Sequence, residues 1–193
     1  AEVALLVGRD PGMATRFLRL VNSPLYRRIR KIETVSHAVS LLGICQVHDI
    51  VLSASVAEAF EGIQTEVMNM KKFWQQSFYC AVMTKQLALE CEILESDRLF
   101  VTGLLHDIGK IILDPFVRER KVLFDHYFAI HPEKTVQDAE RDILGFDHAV
   151  IAAIVCEKWS LPRSISFGIR HHHQPSSAGD HQLSHIVHLA DHI

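Results

Sequence analysis

Apolar residues recur at three- and four-residue spacing along almost the whole chain and nowhere alternate convincingly, so the pattern predicts helices and no strand. Asp10-Pro11 places a capping residue before a proline at the first helical position, and Ala14, Phe17, Leu18 and Val21 follow on one face. That helix should end near Asn22-Ser23-Pro24. A second opens at Thr34 or Ser36 and closes at Gly43, a residue suited to the left-handed conformation that stops helices; a third covers about 45–60. After a polar break over 61–69, helices are expected over 70–91, over 97–113 with Asp114-Pro115 as the stop, and over 116–130 with His131-Pro132 as the stop. Further helices fit 135–144, 147–158, 162–172 and 182 onward, and Gln174 to Asp180 reads as an exposed loop. The expectation is an all-α, two-lobed helical domain: an N-terminal helical lobe over 1–64 packed on a larger helical lobe over 65–193.

Composition supports a packed core, with 48% of the 193 residues hydrophobic and 22% charged. A formal net charge of −3 leaves no basic excess for a nucleic-acid polymer or an anionic membrane, so neither is expected as a partner. The longest apolar run, 149–156, falls far short of the ~18 residues a membrane span needs. Cys45, Cys80, Cys91 and Cys156 form no CxxC pair and read as reduced core thiols, which points to a reducing, cytoplasmic compartment. Phe73, Trp74, Phe78 and Trp159 read as packing residues. A start without Met and an end within a helical pattern read as part of something longer.

Thirteen histidines are the oddity, and His148, His171, His172, His173, His181, His185, His188 and His192 all lie beyond residue 147. Histidines on solvated helix faces are ordinary, so position must discriminate. The informative stretch is Gly103-Leu104-Leu105-His106-Asp107-Ile108-Gly109-Lys110, which sets an imidazole and a carboxylate inside an apolar helical pattern. A carboxylate buried there needs a partner: either a cation shared with His106, or an ordinary Arg or Lys ion pair beside a satisfied core histidine. Gly103 and Gly109 each cost ~1 kcal/mol in a helix relative to alanine, which implies that something packs or binds close to the backbone. His181, His185, His188 and His192 fall on one helical face, either extending a metal site or simply meeting solvent.

Gly-Leu-Leu-His-Asp-Ile-Gly-Lys at 103–110 resembles the signature of the HD superfamily of metal-dependent phosphohydrolases, especially its HD-GYP branch. Phe17-Leu18-Arg19-Leu20-Val21-Asn22-Ser23, His37-Ala38-Val39, Leu41-Leu42-Gly43, Phe73-Trp74, Gly145-Phe146-Asp147-His148, Trp159-Ser160-Leu161-Pro162 and His172-His173-Gln174-Pro175 narrow the resemblance to HDOD domains, over nearly the whole chain. The resemblance implies an HD-like bundle in the larger lobe. It also implies a metal site of His106, Asp107, His148, His172, His173 and Asp191, with Asp107 and Lys110 as candidate catalytic groups and Fe, Mn, Mg or Zn as the candidate ion, or none bound. Lys110 also reads as a solvated lysine near a helix end, the commoner role for such a residue, and Asn22 and Ser23 as local hydrogen-bonding residues. Two departures stand out. Gln76 aligns with the first ligand histidine, and a glutamine oxygen is a weaker transition-metal ligand; Pro175-Ser176-Ser177-Ala178-Gly179 replaces the Gly-Tyr-Pro stretch, which argues against cyclic-di-GMP hydrolysis. The functional expectation is therefore a bacterial signal-output or scaffold module, working with regulatory proteins or an adjacent sensory or receiver domain, with little or no catalysis. The alternative is a metal-dependent phosphohydrolase acting on a nucleotide or other phosphoester; a third reading is a metal or nucleotide sensor without turnover.

Overall fold

The computed structural model describes residue 7 and residues 10–22, 31–63, 65–93, 96–178 and 182–193. It is all-α, with no strand among the described residues, and divides into two compact units, 1–63 and 64–193.

The first unit holds α1 (Pro11–Val21), α2 (Val35–Leu42) and α3 (Ile44–Ala59). The Asp10 carboxylate accepts the N–H groups of Gly12 and Met13, and Thr34 accepts that of His37, serving donors the helices cannot satisfy themselves. Gly43, at φ 81°, joins α2 directly to α3 in a conformation costly for any residue with a Cβ. Phe17, Val21, Ile32, Val35, Ala38, Val47 and Ile50 form the core. Asn22 pins the chain after α1: its Oδ1 accepts from Ile32 N–H at 2.8 Å, and its Nδ2 donates to the carbonyls of Ile32 at 2.8 Å and Leu18 at 2.7 Å. Ser23 lies outside the described residues.

The second unit runs through α4 (Met70–Glu90), α5 (Ser96–Leu105), α6 (Gly109–Glu119), α7 (Lys121–Ile130), α8 (Val136–Leu144), α9 (His148–Lys158), α10 (Arg163–Arg170), a single 3₁₀ turn at Pro175–Ala178, and α11 (Gln182–Asp191). The longest helix, α4, packs along α5 and α11; α10 lies against α9, α11 and α5; and α9 crosses α6. Ala88, Leu99, Ile186 and Val187 are among the core residues that close this bundle.

Several expected boundaries shift. The helix expected over 97–113 is two helices, separated by a turn at His106-Asp107-Ile108. There the N–H groups of Ile108, Lys110 and Ile111 each bond the carbonyl three residues back, at 3.1, 2.9 and 3.1 Å. His106, Asp107 and Ile108 are all buried, so the apolar pattern runs through the turn without registering it. Pro115 lies inside α6 and does not stop it. The adjacent Asp114 carboxylate accepts from the N–H groups of Glu66 and Val67. The helix expected over 116–130 divides at Arg120, whose N–H bonds the Phe116 and Val117 carbonyls. Cys45 and Cys91 are exposed, not core, whereas Cys80 and Cys156 are buried. Trp159 is 43% exposed and so is not a core anchor; Phe73 and Phe78 are buried. Gly179, Asp180 and His181 lie outside the described residues. No described helix is long and apolar enough to cross a membrane.

Both glycines of the signature are demanded by packing. A Cβ on Gly103 would stand 2.5 Å from Thr84 Oγ1 and 2.9 Å from Ala81 Cα, so α5 touches α4 there; a Cβ on Gly109 would overlap the His148 carbonyl at the start of α9. Gly109→Ala should therefore destabilise the chain by about 2–3 kcal/mol, read as a fall in the urea midpoint. Val122→Ala, at a position 81% exposed, should move stability by no more than about 0.5 kcal/mol. Equal midpoints for the two variants would refute so close a crossing of α6 and α9.

Candidate metal centre

The turn after α5 places His106 and Asp107 at the middle of the second unit, where His106 is fully buried and Asp107 is 4% exposed. His148 arrives from the first residue of α9. Gly145, in the left-handed conformation, ends α8, and the Asp147 carboxylate caps α9 by accepting from Val150 N–H. Asp147 is itself held by Arg141 Nε at 2.6 Å and Gln137 Nε2 at 2.8 Å, so α8 fixes the entry to α9. His172 and His173 follow the end of α10, and Asp191 is the last residue of α11.

These side chains converge. The donor atoms of Asp107, His148, His172 and His173 lie within 4.8 Å of one another, and so do those of His106, His172 and Asp191, His172 belonging to both groups. Every member of the metal set expected from sequence is present in one group or the other. Three of the imidazoles are oriented from behind. Nδ1 of His106 lies 2.7 Å from the Gly103 carbonyl, Nδ1 of His148 lies 2.6 Å from Glu140 Oε2, and Nδ1 of His172 lies 2.6 Å from the Ile169 carbonyl. Each of those oxygens can only accept, so each Nδ1 carries a proton and each Nε2 is turned inward. There His148 Nε2 faces His173 Nε2 at 2.8 Å, and His106 Nε2 faces Asp191 Oδ1 at 3.1 Å.

Asp107 receives the ion pair that its burial called for on one oxygen only. Oδ2 takes the Lys110 ammonium at 2.5 Å, the ordinary ion pair. Oδ1 stands 3.2 Å from His148 Nε2 and 3.9 Å from His172 Nε2, and both this oxygen and His172 Nε2 are buried without a hydrogen-bond partner. Lys110 is thus tied to Asp107, with its ammonium group partly exposed, and is not the freely solvated residue that its helical position allowed.

The electrostatics follow from crowding. Burial alone would raise the Asp107 carboxyl, but His106, His148 and Lys110 hold it well below the ordinary carboxylate range. Burial likewise opposes charge on His106, yet Asp107 and Asp191 keep its imidazole well above the usual histidine value. His148 is raised, the carboxylates of Asp107 and Glu140 outweighing burial. Burial and the neighbouring rings push His172 well down, and burial together with His148 lowers His173 to about 4. Burial works against the Asp191 carboxylate, but its bond to His106 lowers it to about 2.

A model of the HDOD domain matches residues 1–175. The chain belongs to the HDOD domain family. An HDOD domain protein of unknown function from Geobacter sulfurreducens superimposes with a TM-score of 0.86 at 25% identity, over 99% of this chain and 64% of that one. A candidate phosphohydrolase from Shewanella amazonensis superimposes with a TM-score of 0.80, also at 25% identity, over all of this chain and 68% of that one. An uncharacterized protein of Treponema pallidum (strain Nichols) is 24% identical over 177 residues, which is 90% of this chain and 33% of that protein. The chain thus spans about a third of its Treponema relative. The HDOD match ends before Asp191, so the carboxylate on His106 comes from beyond it.

Sequence reasoning missed Glu140. It is 2% exposed and accepts both the backbone N–H and the Nδ1–H of His148, at 2.8 and 2.6 Å. The available signal was Gln137 and Glu140, three residues apart on the inward stripe of α8, where polar side chains need partners. The histidine stripe is not a third donor group among the described residues: His188 Nδ1 donates to the His172 carbonyl at 2.7 Å, and His192 Nδ1 lies 2.8 Å from the His188 carbonyl. Gln76 is exposed on α4 and lines a cleft of about 510 Å³ that Asp191 also borders.

The shifts give a signed pH dependence. A histidine lowered to about 4 and an aspartate lowered to about 2 both leave the unfolded chain binding more protons, so stability present at higher pH is lost as pH falls toward those values. His106 and His148 act oppositely, their contribution being lost as pH rises above the ordinary histidine range. Metal-free protein should therefore lose thermal stability between pH 4 and pH 2 through Asp191, and Asp191→Asn should flatten that limb of a melting-temperature profile. A limb of unchanged steepness in the variant would assign the acid transition to other carboxylates.

Proposed function

We propose that this HDOD domain is a signal-output module that holds a divalent transition metal through His106, Asp107, His148, His172, His173 and Asp191. The observation that carries the reading is the pair of buried, unpartnered atoms, Asp107 Oδ1 and His172 Nε2, in a cluster whose imidazoles are turned inward by bonds behind them. Buried polar atoms are ordinarily satisfied, and a shared cation satisfies an oxygen and a nitrogen lone pair together. An imidazole-rich set with carboxylates suits iron, manganese or zinc better than magnesium. Output through protein contacts, to a regulatory partner or an adjacent sensory or receiver domain, is supported by the family and by large apolar side chains left exposed on α7, Val122, Leu123 and Ile130.

The second reading is hydrolysis of a nucleotide or other phosphoester, supported by the resemblance to a candidate phosphohydrolase and by the cleft beside Asp191. A divalent ion bound at such a site supplies Lewis acidity to a phosphoester oxygen. Lys110 would hold Asp107 ionised, and Glu140 would keep His148 in the tautomer that presents Nε2. Gln76 favours output over turnover, because an exposed amide stands on the helix where the related enzymes carry an imidazole.

Elemental analysis of untagged protein and of Asp107→Ala tests this directly. Near-stoichiometric transition metal in the natural chain, lost from a folded variant, is the expected result. Metal absent from both folded proteins overturns metal binding. A loaded chain that turns over phosphoesters, with activity lost in Asp107→Ala, replaces output by hydrolysis.

A further inference from the structure

Away from the histidine cluster, a cavity of about 490 Å³ is lined by Glu157, Arg163, Ser164, Ser166, Phe167 and Arg170. Its volume falls within the range of about 300–1,000 Å³ common for small-molecule sites. Most of its wall is one face of α10: Arg163, Phe167 and Arg170 recur at four and three residues, which stacks them along the helix. The Phe167 side chain is partly exposed and lines the same cavity as the two arginines, with its ring also packed against that of His171. Arg170 is shared with Glu157, Nη2 to Oε1 being 3.5 Å, while Arg163 is exposed and makes no ion pair among the described residues. Two guanidinium groups against one carboxylate leave a net positive wall.

The start of the helix adds to this. Pro162 precedes α10 and no side chain caps its first turn, so the N–H groups of Arg163 and Ser164 face outward with the positive end of the helix dipole. The Ser166 hydroxyl is turned back onto the Arg163 carbonyl at 3.2 Å and leaves the mouth of the cavity to the arginines.

We propose that this cavity is a binding site for a small organic anion of the nucleoside monophosphate class, its phosphate held by Arg163 and Arg170 and its planar base laid on Phe167. Guanidinium matches phosphate geometry in a way a lysine does not, and an aromatic face accepts any base by stacking. The site rests on its own residues and does not depend on metal binding. Its position is nevertheless close to the cluster: the Phe167 ring lies 4.5 Å from that of His171, the residue before His172, and the Ile169 carbonyl that orients His172 belongs to the same helix.

The test is calorimetric titration of AMP into the full chain after chelator treatment, beside Arg163→Ala, Phe167→Ala and Asp107→Ala. AMP should bind the natural chain and Asp107→Ala alike, and about tenfold more weakly to each of the other two variants, tenfold being about 1.4 kcal/mol. Inorganic phosphate and adenosine should each bind more weakly than AMP, since each uses half the site. No AMP binding, or equal affinity for the natural chain and Arg163→Ala, overturns the proposal. Binding lost only in an Asp107→Ala variant that remains folded also overturns it, moving the nucleotide to the histidine cluster and leaving metal binding there untouched.

Discussion

A carboxylate taken out of water is the constraint around which the second unit is arranged. Asp107 is 4% exposed, and burying an unpaired ion costs several kcal/mol even after relaxation. Lys110 offsets that cost for one oxygen only, and the other is turned toward His148 and His172. Local structure serves this arrangement. The break between α5 and α6 places Asp107 on a turn, and Gly109 lets α6 approach α9 so closely that His148 is within reach of the carboxylate.

The second layer explains why the imidazoles are committed to one orientation. Carbonyls of Gly103 and Ile169 and the carboxylate of Glu140 fix Nδ1–H on three rings, so the inward Nε2 atoms are acceptors unless a ring takes a second proton. Acceptors facing Asp107 and Asp191 repel, and something positive must stand among them. In the absence of a metal a proton serves: His106 is held well above its ordinary value by Asp107 and Asp191. Metal and proton therefore compete for the same lone pairs, and the cost of displacing that proton enters any metal affinity measured here.

Most of the helical architecture was legible because periodicity and caps agree: Asp10-Pro11, Thr34 and Gly43 all act at the ends where their chemistry places them. What was lost follows from what periodicity cannot see. A turn built of buried residues keeps the apolar pattern of a helix, which hid the break at 106–108. Pro115 predicts a stop because proline costs a bond and crowds the preceding turn, yet α6 continues through it. Trp159 reads as a packing residue beside the Leu161-Pro162 turn, and at the C-cap of α9 it faces solvent in part. The donor cluster was legible only through family resemblance, since His106, His148, His172 and Asp191 stand far apart in sequence and meet through tertiary packing. Glu140 escaped because nothing local distinguishes an inward glutamate from a solvated one until its partner is known.

Holding a cation and activating a substrate make different demands on this frame. The first needs only convergent acceptors with fixed tautomers, which α5, α9, α10 and α11 supply from their ends, where side chains can be aimed without disturbing helix packing. The second needs in addition a position left open to a reacting group and an access route to it. A cleft of about 510 Å³ borders Asp191, and Gln76 stands exposed on its wall. On the proposed reading, the amide of Gln76 leaves the six-residue donor set unchanged and puts a weak ligand on the α4 side, which separates holding a cation from turning over a substrate.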